Sequence, residues 1–167
     1  MNRRLRRAEK AKNKKTSRTQ ADPTATNPAA ERDFAEAIRL HQAGQSEEAR
    51  TYYRRVLRTQ PNHSVSLHHL GVIALQFGKS EDAVDYIRKA VRAQPVYPFA
   101  HNNLGNALRN VGRLEDAEAS YSTAISQKPD YAEAHYNWAI IKEDRADPEA
   151  AMAGYKQAIE LKPDYTD

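Results

Sequence analysis

An all-α solenoid of four helix-turn-helix units is the fold this sequence predicts, on a proline period, a matching set of small residues, and apolar residues spaced three and four apart. Prolines stand at Pro61, Pro95, Pro129 and Pro163, each 34 residues from the next. Self-similarity at a fixed period of this size is the mark of a repeat architecture. Alanines keep the same clock at Ala49, Ala83, Ala117 and Ala151, as do glycines at Gly44, Gly78 and Gly112 and again at Gly71 and Gly105. The repeating units therefore run 30–63, 64–97, 98–131 and 132–165.

Within a unit the spacing gives helix, break, helix. In the third, Leu104, Ala107, Leu108 and Val111 share one helical face, Gly112 interrupts, and Ala117, Tyr121, Ala124 and Ile125 resume the pattern. Gly44, Gly78 and Gly112 sit where a helix ends in the left-handed region, which costs glycine no steric penalty. Ser46 and Ser80 are placed to cap the second helices, with Glu47, Glu48, Glu81 and Asp82 adding negative charge at the positive helix end. In the fourth unit Ala146 replaces the glycine, and Asp147 and Pro148 supply a cap and a preformed first turn. Each unit closes on its proline, with Asn62, Asp130 and Asp164 as expected caps for the next helix; after Val96, Pro98 at the first helical position substitutes. Asn27 and Pro28 mark the first helix start. Small residues at Gly71, Gly105 and Ala139 beside large ones at Leu70, Leu104 and Trp138 predict close helix packing.

Composition narrows the function classes. The 167 residues are 29% charged and 40% hydrophobic, and no segment approaches the roughly 18 apolar residues of a spanning helix. Basic residues near the start lack the apolar run of a cleavable signal. Without cysteine there are no disulfides or thiolate sites, which fits a reducing, cytoplasmic setting. Residues 1–29 hold nine Lys and Arg against two acids, whereas the other 138 hold 17 bases and 20 acids. The sequence thus predicts a disordered basic tail over 1–29 and a folded domain over 30–167. Arg3, Arg4, Arg6, Arg7, Lys10, Lys12, Lys14, Lys15 and Arg18 of that tail could engage nucleic acid or an anionic membrane through salt-screened contacts.

These residues carry a resemblance to the tetratricopeptide repeat (TPR) family. Its pattern is a large apolar residue, then Gly or Ala, an Ala, an aromatic or Ile, another Ala and a Pro. The third unit matches at Leu104, Gly105, Leu108, Ala117, Tyr121, Ala124 and Pro129, and the second at Leu70, Gly71, Ala74, Ala83, Ile87, Ala90 and Pro95. The first unit departs from it with Glu36 in a large apolar position and Val56 in an alanine position. The resemblance implies a right-handed superhelix with a concave binding face lined by the first helix of each unit. By register that face carries Phe34, Ile38 and Gln42; His68, His69, Val72 and Gln76; Asn102, Asn103, Asn106, Arg109 and Asn110; and Tyr136, Asn137, Ile140 and Asp144.

An amide offers both donor and acceptor, so asparagines in a groove can hold a peptide backbone without reading its side chains. Asn103 and Asn137 occupy the same register one unit apart, similar to the asparagine ladder in the repeat region of bacterial O-linked N-acetylglucosamine transferases; His69 and Ala35 interrupt it. The competing reading is that these asparagines only solvate a helix face. If they are spare for a partner, alanine at Asn103 and Asn137 weakens capture and leaves thermal stability nearly intact. A clamp for a terminal carboxylate needs clustered bases, and Phe34, Ile38 and Phe99 stand where those would be, leaving Arg109 as the third unit's groove base.

Neither catalysis nor a cofactor is expected within these residues. His68 and His69 are adjacent and so splay about 100° apart on a helix, which rules out joint chelation. His101 and His135 share a register that fits an interhelix boundary, and no phosphate-cradling loop or nucleophile elbow occurs. The expected partner is another protein or a peptide, with no small-molecule substrate. Asp167 falls where a fifth unit would begin, leaving Trp138, Tyr155 and Ile159 partly uncovered. That end is expected to be covered by self-association, by the partner, or by further chain. In the last case these residues form the substrate-recruiting arm of a larger glycosyltransferase or methyltransferase, an alternative to which the HNNLGN and KPDY runs also lend themselves.

Overall fold

Each 34-residue unit folds as two antiparallel helices in the computed structural model, which describes residues 27–163. Helices α1 (Pro28–Gln42) and α2 (Ser46–Thr59) make the first hairpin, and α3 (Ser64–Gln76) and α4 (Ser80–Ala93) the second. The third pairs α5 (Pro98–Asn110) with α6 (Leu114–Gln127), and the fourth pairs α7 (Ala132–Asp144) with α8 (Pro148–Leu161). No strand occurs among the described residues, and none of their helices is long and apolar enough to cross a membrane. The expected tail disorder and the cap at Asp164 lie outside the described residues.

Three helix starts follow the local chemistry read from the sequence, one of them Pro98 at the first position of α5. The Asn27 carboxamide oxygen accepts from the backbone N–H groups of Ala29 and Ala30 at 3.1 and 3.3 Å, with Pro28 first in the helix. Asp147 accepts from the Ala150 N–H at 3.2 Å, ahead of Pro148. The other expected caps are displaced. Ser46 and Ser80 are the first residues inside α2 and α4, and the cap positions fall to Gln45 and Lys79 with no side-chain capping bond. Here the turn is one residue shorter than the serine reading requires. The Ser46 hydroxyl donates instead to Gln76 Oε1 at 3.0 Å. After Pro61 and Pro129 the turn is one residue longer than expected, so His63 and Tyr131 take the positions assigned to Asn62 and Asp130. His63 Nδ1 accepts from the Ser66 N–H at 3.2 Å, and Asp130 pairs with Lys128 at 2.7 Å.

The turns between paired helices need a left-handed residue. Gly44, Gly78 and Gly112 supply it at φ of 76°, 69° and 76°, and Ala146 adopts the same conformation at 57°. An alanine there bears the Cβ clash that glycine escapes.

Close approach within a hairpin explains the second glycine register. A Cβ on Gly71 would lie 2.3 Å from Ile87 Cγ1, and one on Gly105 would lie 2.4 Å from Tyr121 Cε1. Both large partners are fully buried. In the fourth hairpin the relation is redistributed: Ala139 takes the α7 position, and a Cβ on Gly154 of α8 would meet Ala139 Cβ at 2.9 Å.

Between hairpins the core is continuous. Ala37, Ala49 and Tyr53 pack with Leu70 and Ile73 of the second unit, and Ala83 and Ile87 pack with Leu104, Leu108 and Tyr121 of the third. Burying a leucine of this kind stabilises by roughly 1.5–3 kcal/mol. Glu36, out of pattern in the sequence, occupies the register of Leu70 and Leu104, which fill the interface with the preceding hairpin. No earlier hairpin stands before it among the described residues, and it pairs with Arg39 at 2.6 Å. Across units α3 meets α5 and α5 meets α7, with no such approach among the second helices. The stack therefore curves toward the first helices, and they line its concave side.

Gly105→Ala is expected to lower unfolding free energy by about 1–3 kcal/mol through overpacking against Tyr121. Ala146→Gly is expected to raise it by about 0.5–1 kcal/mol, the relief of left-handed strain less the entropy of an added glycine. Urea melts of the two variants check both signs.

Candidate functional site

The trough holds a cavity bordered by the first helix of the first unit and the start of the fourth. Its volume is about 490 Å3, and it is walled by Ile38, His41 and Gln42 of α1, Tyr53 of α2, and His68, His69 and Val72 of α3. Tyr97, Phe99 and Asn103 close the next side, with Tyr131 and Glu133 at the start of the fourth unit.

A single contact recurs at each step along this face. The fifth residue of one unit meets the residue that caps the first helix of the next: Phe34 lies edge-on to His63 with ring centroids 4.8 Å apart, and His68 lies edge-on to Tyr97 at 4.9 Å. At the third-to-fourth step Asn102 Nδ2 donates to the Tyr131 hydroxyl at 3.3 Å. One geometry thus hosts an apolar edge, a hydrogen-bonded ring pair and an amide. Tyr97 and Tyr131, which register alone did not place in the groove, enter the trough as the residues preceding α5 and α7.

Of the expected groove residues, Ile38, Gln42, His68, His69, Val72 and Asn103 wall the cavity, and several are already engaged. Asn103 Nδ2 lies 2.8 Å from His68 Nε2, and the Tyr97 hydroxyl lies 2.9 Å from His68 Nδ1. An amide NH2 can only donate, so Nε2 accepts and the imidazole proton sits on Nδ1, donating to the Tyr97 oxygen. Asn137 repeats the step one unit on, its Nδ2 donating to Asn102 Oδ1 at 3.0 Å. Asn102, fully buried, also donates to Glu133 Oε1 at 2.9 Å. The amide row is therefore an inter-repeat tie, and with Asn137 only 9% exposed the expectation that its loss leaves stability intact does not hold. Removing such a buried bond costs about 1–3 kcal/mol when a partner is left unsatisfied. Asn106 accepts from the buried Tyr121 hydroxyl at 2.7 Å, and Gln76 accepts from Ser46. Tyr136 packs its ring 5.5 Å from Tyr155, while Asn110, Gln42 and Asp144 are exposed and Arg109 is half-buried.

His69 stacks on Tyr53, with centroids 5.2 Å apart and planes 9° from parallel, and lies edge-on to His41 at 5.1 Å. Its Nδ1 is buried and has no hydrogen-bond partner among the described residues. Burial pushes the imidazoles of His68 and His69 down to about 4, helped by their histidine neighbours, and lowers that of His41. At neutral pH the rings carry no charge. For His68 a second reason is visible: protonating Nε2 would face one donor with another.

His101 and His135 do lie at an interhelix boundary, and the structure adds a role. Their Nε2 atoms sit 3.0 and 2.9 Å from the carbonyl oxygens of Pro95 and Pro129, so each first helix is tied to the proline ending the previous unit. Among the described residues no three metal-ligating side chains converge. At the other end Ile159 and Met152 are 43% and 71% exposed and Trp138 is half-buried under the Lys142 ammonium, 5.0 Å from its ring.

Comparison with known proteins places these features. The tetratricopeptide repeat family matches residues 34–98 and 132–165, and a TPR repeat model matches 105–142. No curated protein sequence matches the chain. Among solved structures, MamA is similar at 23% identity and a TM-score of 0.75, over 82% of this chain and 75% of that one. YrrB, described as a TPR protein with an unusual peptide-binding site, is 23% identical with a TM-score of 0.72, over 82% and 71%. At these identities the likeness is one of fold. A Thermobaculum terrenum O-GlcNAc transferase mutant is 26% identical with a TM-score of 0.75, over 81% of this chain but 27% of the transferase.

The neutral histidines fix a pH response. They are uncharged when folded and protonate near their ordinary value of 6.5 when unfolded, so between about 6.5 and 4 the unfolded chain binds more protons. Stability is present above 6.5 and is lost as the pH falls toward 4. His69→Phe, which keeps the stack on Tyr53 and removes the unpaired nitrogen, is expected to retain stability at pH 7 and to recover roughly 2 kcal/mol of the loss at pH 4.5. Thermal melts at the two pH values measure the difference.

Proposed function

The chain belongs to the tetratricopeptide repeat family, and on that premise we propose that it is an interaction scaffold that seats a segment of another protein along the concave face of its superhelix. One observation carries this reading: the first helices of successive units line a trough that holds a cavity of about 490 Å3 walled by rings and amides. A preformed concave surface with apolar walls and a few placed polar groups is what a binding site requires. YrrB, similar in fold, is described as having a peptide-binding site, which supports a protein or peptide as the kind of partner. The row of Asn102, Asn103 and Asn137 supports it indirectly, by holding the trough in one shape. The remaining amide acceptors and the exposed Gln42, Gln76 and Asn110 would meet the partner's backbone. No catalytic step is part of this reading, and we place the scaffold in a bacterial cytoplasm, in keeping with a chain free of cysteine.

A second reading is supported by the likeness to the O-GlcNAc transferase, of which this chain spans about a quarter. On that reading the trough recruits substrates for an enzyme encoded further along the same frame. The reading frame decides: several hundred further residues of α/β pattern favour the arm, and a stop after Asp167 favours the adaptor. Self-association through the surface around Met152 and Ile159 would accompany the adaptor.

The test of the scaffold is site-specific photocrosslinking in cells. A photoreactive residue at Gln42 or Asn110 is expected to capture one protein in common, and the same residue at the exposed Lys89 of α4 to capture none. Asn103→Ala is expected to weaken that capture several-fold, on the order of one hydrogen bond. Equal capture from Lys89 and the trough, or affinity unmoved by Asn103→Ala, removes the proposal.

A further inference from the structure

We propose that the cavity between the first and fourth units is an anchor for a basic side chain, arginine or lysine, of the bound segment. The inference rests on the trough being the binding face and names the chemistry it selects. Among the residues walling the cavity one carries a formal charge at neutral pH, the Glu133 carboxylate; the histidines there are neutral. Glu133 accepts from Asn102 at 2.9 Å and from the Tyr131 hydroxyl at 3.5 Å, and no lysine or arginine among the described residues pairs with it. A carboxylate has about four acceptor positions, so it keeps capacity for a charged donor. Arg109 is engaged near the Tyr121 hydroxyl and does not wall the cavity.

Beside this carboxylate stand aromatic faces. Phe99, 46% exposed, meets Tyr131 with centroids 5.2 Å apart and planes at 69°, which makes a corner of two rings opening on the cavity. Tyr97 adds a third. Ring faces attract cations placed over them. An acidic side chain would meet the same faces and Glu133 with repulsion, and a neutral apolar one would give the carboxylate no charged partner. A guanidinium is favoured over an ammonium because its flat fork can stack on a ring while donating to the carboxylate.

The test is an NMR titration of the full chain with three alanine-based heptapeptides, carrying arginine, norleucine or glutamate at the centre. The arginine peptide is expected to shift the Asn103 side-chain amide and the Phe99 and Tyr131 ring signals, binding roughly tenfold more tightly than norleucine, as one cation–π contact with a charge-assisted bond would give. The glutamate peptide is expected to leave those signals unmoved. Glu133→Gln, which keeps an acceptor for Asn102, is expected to erase the arginine preference, and Phe99→Leu serves the same purpose should the first variant unfold. Norleucine binding as tightly as arginine overturns the cation anchor while leaving the trough as the binding face. Silence of the whole trough toward all three peptides removes both. A nitroxide on Ser17→Cys, clean in a cysteine-free chain, tests the remaining occupant: broadening of Asn103 without added peptide assigns the cavity to the chain's own basic segment and overturns the partner.

Discussion

The approach of one helix backbone to a large side chain on its hairpin partner is the constraint on which everything else rests. Gly71 against Ile87 and Gly105 against Tyr121 leave no room for a methyl group, with built Cβ positions only 2.3 and 2.4 Å from the opposing carbon. That closeness sets the spacing of the paired helices, the spacing sets how the next hairpin nests, and the repeated nesting bends the stack. The trough is thus a property of the whole stack, assembled one hairpin at a time, as expected of repeat proteins in which each unit contacts its neighbours alone.

The concave face shows how such a stack acquires specificity without losing its architecture. The same pair of registers meets three times, as Phe34 with His63, His68 with Tyr97 and Asn102 with Tyr131, so the backbone geometry is constant while the chemistry changes from ring edges to hydrogen bonds. Asn103 and Asn137 run back to the preceding unit and fix the relative position of neighbouring first helices. A surface built this way is preorganised, and a partner that binds it does not have to order it.

Most of the architecture was legible in the sequence because repeats advertise themselves through spacing. The period gave unit boundaries, the left-handed glycines gave the turns, and Gly71 and Gly105 gave the close contacts. Helix starts were less legible, since Ser46, Ser80, Asn62 and Asp130 are all good capping residues standing one position from where the turns place the cap. The same one-residue error hid Tyr131 from the groove, and Tyr97 was passed over because Pro98 after it carried the start signal. The asparagines were recognised as a face but not as inter-repeat ties, because hydrogen bonds between residues 35 positions apart, such as Asn137 to Asn102, depend on how hairpins nest and leave no local signal. His41 and the stack of His69 on Tyr53 were missed for a related reason: three separate helices contribute them.

A double-mutant cycle between Gly105→Ala and Tyr121→Leu, read by chemical denaturation, tests the governing contact most directly. If the hairpin is set by steric exclusion between these two positions, the smaller leucine makes room for the added methyl, and the double variant loses at least about 1 kcal/mol less than the sum of the singles. Strictly additive losses would show that the two positions do not constrain one another, and the derivation of the trough from hairpin packing would fail with them.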